Sequence, residues 1–183
     1  MLFEKLEIPG AALVRLERKI DERGFFARTF CAHEFAAAGL PGAVAQTSVS
    51  YNERRGTVRG LHFQWPPSRE DKLVRCTAGA VYDVVLDLRD GSPTFGRWAG
   101  AEISAENRRL MYAPKGCGHG FLTLVDDTEL VYFASTPYVG RDERIVRWDD
   151  PRFAIRWPRA PAILSDKDRD AADYDPSAHA SGY

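Results

Sequence analysis

Residues 78–89 read AGAVYDVVLDLR, and the side chains alternate along them. Tyr82, Val84, Leu86 and Leu88 fall on one face; Val81, Asp83, Val85 and Asp87 fall on the other. A period of two is the signature of a strand. The turn residues of DGSPTFG follow, and they end it. Residues 108–135, RRLMYAPKGCGHGFLTLVDDTELVYFAS, read as strand, Pro-Gly turn, strand, Asp-Asp turn, strand. DKLVRC and RGTVRGLHFQ add two more strands. The one clear helical signal comes early, in CAHEFAAAGLPG, where alanines run into a Gly-Leu-Pro-Gly stop. The spacing of the strands predicts an antiparallel sandwich or barrel. The polar tail, LSDKDRDAADYDPSAHASGY, is expected to be disordered from about Asp175 onward.

The strand RGTVRGLHFQ raises a question of its own. Alternation puts His62 and Gln64 on one face and Leu61 and Phe63 on the other. If Leu61 and Phe63 seal a core, the polar pair looks into a cavity or into solvent. Other polar residues also sit on strands or strand ends: Lys72 at the start of DKLVRC, Asp83, His119 after the PKGCGHGF turn, and Tyr132 in ELVYFAS. Each alone has an ordinary reading, as a satisfied core residue or a solvated face. In a small barrel, however, such positions converge on one interior. Tyr132 lies between Val131 and Phe133, so its ring points opposite to theirs.

Composition narrows the possibilities. The chain has 183 residues, 44% hydrophobic and 28% charged, with a formal net charge of −1. It is long enough for one domain spanning 1–183 with a real core. No basic field points to nucleic acid, and no apolar run suggests a membrane span. The N-terminus lacks the apolar stretch of a signal peptide. Cys31, Cys76 and Cys117 are far apart and odd in number, which argues against a disulfide framework or a paired-cysteine zinc site. The expectation is a soluble, reduced, cytoplasmic protein.

The chemistry narrows as well. A His-x-His pair with a later histidine would make a metal shell, but the second position here is Gln64, a poor ligand. No metal is expected. There is no Gly-x-Ser-x-Gly elbow, Gly-x-Gly-x-x-Gly fingerprint or P-loop. Cys117 reads as structural. General acid–base chemistry remains, and the chain holds its parts: histidine, carboxylate, cation and acid.

DERGFFARTF, GTVRGLHFQ, KLVRC, YDVVLDLRDGSPTFGRW, APKGCGHGF and LSDKD, in that order, resemble the dTDP-4-dehydrorhamnose 3,5-epimerase family from about residue 4 to residue 170. The resemblance implies a mainly β fold, a cupin-type double-stranded β-helix or jelly roll with a few short helices. It implies His62 as catalytic base paired with Asp168, Lys72 as the stabiliser of an enolate, and Tyr132 as the proton donor on the opposite face of the sugar. It implies nucleotide or diphosphate contacts for Arg23, Phe26, Arg59 and Lys167. His119, Tyr138 and Glu143 are implied to line the pocket, and Gln46, in QTSVSYN, to lie near the base-binding position. No cofactor is implied. The expected partners are a nucleotide-diphosphate sugar and a second copy of the chain, whose RGFFARTF segment reaches into its neighbour's site. Three stretches depart from the family's usual pattern: Arg28 replaces a glutamate, QTSVSYN replaces a Gln-x-Asn run, and GCGHGF replaces Gly-Phe-Ala-His-Gly-Phe. The alternatives are an epimerase acting at C3 or C5 only, one acting on another nucleotide sugar, and a non-catalytic sugar-binding cupin.

Overall fold

A computed structural model describes residues 1–179. The strands, in chain order, are β1 (Leu2–Lys5), β2 (Ala12–Arg15), β3 (Lys19–Asp21), β4 (Gly24–Phe26), β5 (Gln46–Asn52), β6 (Val58–Gln64), β7 (Lys72–Ala78), β8 (Ala80–Asp87), β9 (Trp98–Ser104), β10 (Leu110–Ala113), β11 (Cys117–Thr123), β12 (Thr128–Ala134) and β13 (Glu143–Ile145). Among the described residues three short α-helices accompany them: α1 (Ala32–Ala37), α2 (Asp166–Arg169) and α3 (Pro176–His179).

The strands form a six-stranded sheet in the order β1-β2-β10-β7-β12-β5 and a five-stranded sheet in the order β13-β6-β11-β8-β9. All their pairings are antiparallel. The fold is mainly β, a cupin-type jelly roll. The β3–β4 hairpin pairs only with itself. No helix among the described residues is long and apolar enough to cross a membrane.

Both sheets bury both faces. Between them, Val74, Cys76, Met111 and Leu130 of one sheet meet Val81, Val85, Ile103 and Phe121 of the other. The outer face of the six-stranded sheet (Ala12, Val14, Leu73, Leu110, Tyr112) is covered by Phe35 of α1 and Leu40. The outer face of the five-stranded sheet (Leu61, Phe63, Val84, Leu86) is covered by Val146, Phe153 and Tyr174 from the C-terminal segment. This answers part of the question raised by the GLHFQ strand. Leu61 and Phe63 do pack into a core, but into the outer one, which leaves the inner face of β6 free for a cavity.

The C-terminal segment corrects one expectation. The polar stretch 175–179 is ordered. Residues 176–179 form α3, Tyr174 is buried, and the buried His179 ring bonds the Ile145 carbonyl through Nε2 at 3.1 Å. A single aromatic anchor and one buried hydrogen-bonding ring hold a segment whose composition reads as tail. The rest of the expected tail, residues 180–183, lies outside the described residues.

Candidate active site

Between the sheets lies a cavity of about 370 Å³. Gln46, Ser48 and Ser50 of β5, Lys72 of β7 and Tyr132 of β12 line it from the six-stranded sheet. Arg59, His62 and Gln64 of β6, His119 of β11 and Glu143 of β13 line it from the other. Glu70 and Tyr138 complete the wall from loops.

Arg59 and His62 are three residues apart, so regular alternation would put them on opposite faces. They share the cavity because β6 bulges. On β11, His119 stands opposite His62 and Phe121 opposite Arg59. Two steps on one strand therefore match three on the other, and the extra residue restores the shared face. Gly60, at φ +116°, carries the bulge. A Cβ there would stand 2.7 Å from both the Gly120 Cα and the His119 carbonyl oxygen.

His62 donates from Nε2 to Asp168 Oδ1 at 2.6 Å. With that proton directed away, Nδ1 carries the lone pair on a cavity-lining ring. Ser165 caps α2, its hydroxyl accepting from the Asp168 N–H at 3.2 Å and donating to Oδ2 at 3.0 Å. Burial pushes the Asp168 carboxyl up, but hydrogen bonds from His62, Ser165 and the Gly60 N–H outweigh it and hold the group below its ordinary value. Asp168 is thus an anion behind the ring, and turns the imidazole into a better proton acceptor.

The second histidine is built in the same way but more deeply. His119 Nε2 lies 3.0 Å from both oxygens of the fully buried Asp83. Burial raises the Asp83 carboxyl above its ordinary value, against the opposing pull of His119 and Lys72. The His119 ring meets Tyr132 edge to face, with centroids 5.8 Å apart. Tyr132 has no hydrogen-bond partner for its hydroxyl among the described residues. Burial, reinforced by the Asp83 charge and only partly offset by Arg59, raises its pKa well above the ordinary value. The phenol is therefore held protonated in the cavity wall.

Lys72 crosses from the six-stranded sheet toward β6, donating to the His62 carbonyl at 3.2 Å and pairing with Glu70 Oε1 at 3.1 Å. Gln64 is not spare, because its Oε1 accepts from the Val139 N–H at 2.7 Å. Gln46 Oε1 accepts from the Tyr138 N–H at 3.0 Å. Two glutamines from opposite sheets thus hold the strap that carries Tyr138 over the rim. Tyr138 donates to Glu143 Oε2 at 3.0 Å, and Lys167 pairs with the same oxygen. Burial raises the Glu143 carboxyl, but Lys167, His62 and Tyr138 together hold it below its ordinary value. Arg59 Nε donates to Asn52 Oδ1 at 2.8 Å, and its guanidinium remains exposed at the mouth.

Most residues implied by the sequence thus converge: Gln46, Arg59, His62, Lys72, His119, Tyr132, Tyr138 and Glu143 line the cavity, with Asp168 and Lys167 behind His62 and Glu143. Arg23 and Phe26 do not. They sit on the β3–β4 hairpin with 83% of the Arg23 side chain and 73% of Phe26 exposed, and neither lines this cavity. Arg28 also lies elsewhere, paired with Glu34. Three polar wall residues were missed from sequence. Ser48 and Ser50 follow Gln46 at a period of two, a signal that was there to use. Glu70 lies two residues before Lys72 in an extended stretch. Cys117 is buried, with its thiol pushed up to about 12, as expected of a structural residue. Among the described residues, no three His, Cys, Asp or Glu side chains come together as a metal shell.

The family model described as dTDP-4-dehydrorhamnose 3,5-epimerase matches residues 5–175. The chain belongs to the dTDP-4-dehydrorhamnose 3,5-epimerase family. A dTDP-4-dehydrorhamnose 3,5-epimerase of Sinorhizobium fredii is 42% identical over 169 residues, covering 92% of this chain and 87% of that protein. A dTDP-4-dehydrorhamnose 3-epimerase of Streptomyces niveus is 41% identical over 172 residues, covering 93% and 83%. Among solved structures, a dTDP-4-dehydrorhamnose 3,5-epimerase of Bacillus anthracis with TDP and pyrophosphate bound superposes with a TM-score of 0.91 at 39% identity, covering 94% of this chain and 99% of that one. Like these family members, the chain is an isomerase of the epimerase class.

Proposed function

We propose that the protein epimerises a nucleotide-diphosphate-linked 4-keto-6-deoxy sugar, of the dTDP-4-dehydro-6-deoxyglucose type, at C3 and C5. The observation that carries this reading is the placement of acid and base. His62, backed by Asp168 of α2, stands on one sheet, the protonated Tyr132 on the facing one, and the Lys72 ammonium reaches between them. A hydrogen beside a ketone is weakly acidic because the carbanion delocalises onto the ketone oxygen. His62 takes that proton from one face, Lys72 stabilises the oxyanion, and Tyr132 returns a proton to the other face. The centre inverts with no change in bonding or redox state. A C4 ketone flanks both C3 and C5, so one site serves both. No metal or organic cofactor is needed for this balance.

Arg59 at the mouth suits a diphosphate, since its planar fork matches phosphate oxygens. Gln46, Tyr138, Glu143 and Lys167 form the rim on which the nucleotide lies, and His119 closes the sugar end beside Tyr132. Arg23 and Phe26 serve a neighbouring copy: in a cytoplasmic homodimer each exposed hairpin completes its partner's site.

A one-centre reaction is the second reading, favoured by the likeness to the Streptomyces niveus 3-epimerase, 41% identical where the Sinorhizobium fredii 3,5-epimerase is 42%. Incubation with dTDP-4-keto-6-deoxyglucose in heavy water, followed by NMR, decides between them. Deuterium at C3 and C5 with the inverted product is expected. Deuterium at one carbon would establish the one-centre enzyme. Deuterium at neither would overturn catalysis and leave a sugar-binding cupin.

A further inference from the structure

Residues 70–72 read Glu-Asp-Lys, and in an extended stretch the outer two face one way and the middle one the other. Asp71 points away from the cavity and locks the stretch. Its carboxylate accepts from the Lys115 N–H at 3.0 Å, its N–H donates to Ser135 Oγ at 2.8 Å, and its carbonyl accepts from the Ser135 N–H at 3.0 Å. Just before it, the Arg69 carbonyl accepts from the Thr136 hydroxyl at 3.0 Å. Glu70 and Lys72 are therefore presented to the cavity by fixed backbone. Their side chains are 8% and 15% exposed, and Glu70 Oε1 lies 3.1 Å from Lys72 Nζ.

An ammonium has three hydrogens to place. One goes to the His62 carbonyl at 3.2 Å and one to Glu70. We propose that Glu70 is a positioning residue for Lys72: with the His62 carbonyl it engages two of the three hydrogens and turns the third toward the ketone oxygen of the bound sugar. This inference rests on the enolate chemistry proposed above. A lysine stem is long and flexible, and an oxyanion is stabilised only by a donor already in place. A carboxylate beside the cation also subtracts from its field at the oxyanion. What Glu70 contributes is therefore geometry, and a neutral acceptor of the same shape serves equally well.

The test is steady-state kinetics, with deuterium exchange in parallel, on Glu70→Ala, Glu70→Gln, Lys72→Met and the double variant Glu70→Ala/Lys72→Met. Glu70→Ala should lower kcat and the exchange rate together, on the order of 10- to 100-fold, with KM within about threefold of the parent. Glu70→Gln should restore kcat to within about threefold of the parent or raise it. In the Lys72→Met background, Glu70→Ala should cost nothing further. A rise in KM in place of the fall in kcat would make Glu70 a substrate contact and overturn the proposal. So would failure of Gln to restore the rate, or additive losses in the double variant. A parent enzyme that neither exchanges nor inverts would instead sink the epimerase reading, and this inference with it.

Discussion

In the proposed mechanism the Asp168 carboxylate acts through the His62 base. It holds a proton on the far side of the His62 ring and keeps a negative charge behind it. Asp168→Asn preserves size and loses the charge, so kcat should fall by about 10²- to 10⁴-fold while the thermal midpoint changes little. Near-parental turnover would show that His62 acts without it. In the proposed mechanism Tyr132 separates proton removal from inversion. Tyr132→Phe keeps the ring against His119 and removes the donor, so NMR should show solvent deuterium entering the substrate with little inverted product. Inversion at the parental rate would make Tyr132 a packing residue. At this scale much was legible in the sequence. The direction of the Tyr132 ring followed from strand alternation alone. The bond between His62 and Asp168, 106 positions apart, did not. It depends on where the C-terminal segment returns, and only the resemblance to a known family supplied it.

Strands and turns were the most readable elements, because alternation and turn chemistry are local. The three strands of residues 108–135 appear where the pattern put them, as β10, β11 and β12. The β6 bulge left a signal that went unused: by strict alternation the polar Arg59 falls on the apolar face of Leu61 and Phe63, and Gly60 stands where the pattern reverses. The bulge falls in the β11 pairing, between His62 and Arg59, while the β13 pairing over residues 62–64 is regular. Gly60→Ala should accordingly destabilise the protein by at least ~2 kcal/mol, from the positive φ and the clash with β11 together. Chemical denaturation would measure the loss. The surviving folded protein should bind the nucleotide more weakly, because Arg59 would leave the face it shares with His62. Unchanged stability would mean that the two strands can part without cost. The helix of residues 32–37 was read for its own propensity; its Phe35, fully buried on the six-stranded sheet, shows that packing holds it.

For the whole molecule, no local pattern set Arg23 and Phe26 apart from the cavity of their own chain; only the family resemblance put the RGFFARTF segment at a neighbour's site, since a hairpin's reach is a matter of assembly. If each hairpin serves a neighbour, a mixture of two inactive proteins should regain activity. One would carry His62→Asn, the other Arg23→Ala with Phe26→Ala. Random pairing of the two makes half the dimers mixed, each with one intact site, so about a quarter of parental activity should return after exchange of subunits. A mixture as inactive as its components would show that every copy works with its own hairpin or with none.

The facing placement of the proposed base and acid has one more consequence, for how the enzyme dies. His62 hangs from one sheet and Tyr132 from the other, and the hydrophobic residues that press the sheets together lie directly beside the cavity. Neither wall holds a working half-site. Local fraying of either sheet therefore abolishes turnover as completely as full unfolding does. Inactivation can therefore precede the cooperative melting of the barrel, and residual activity counts only the molecules in which both sheets are intact.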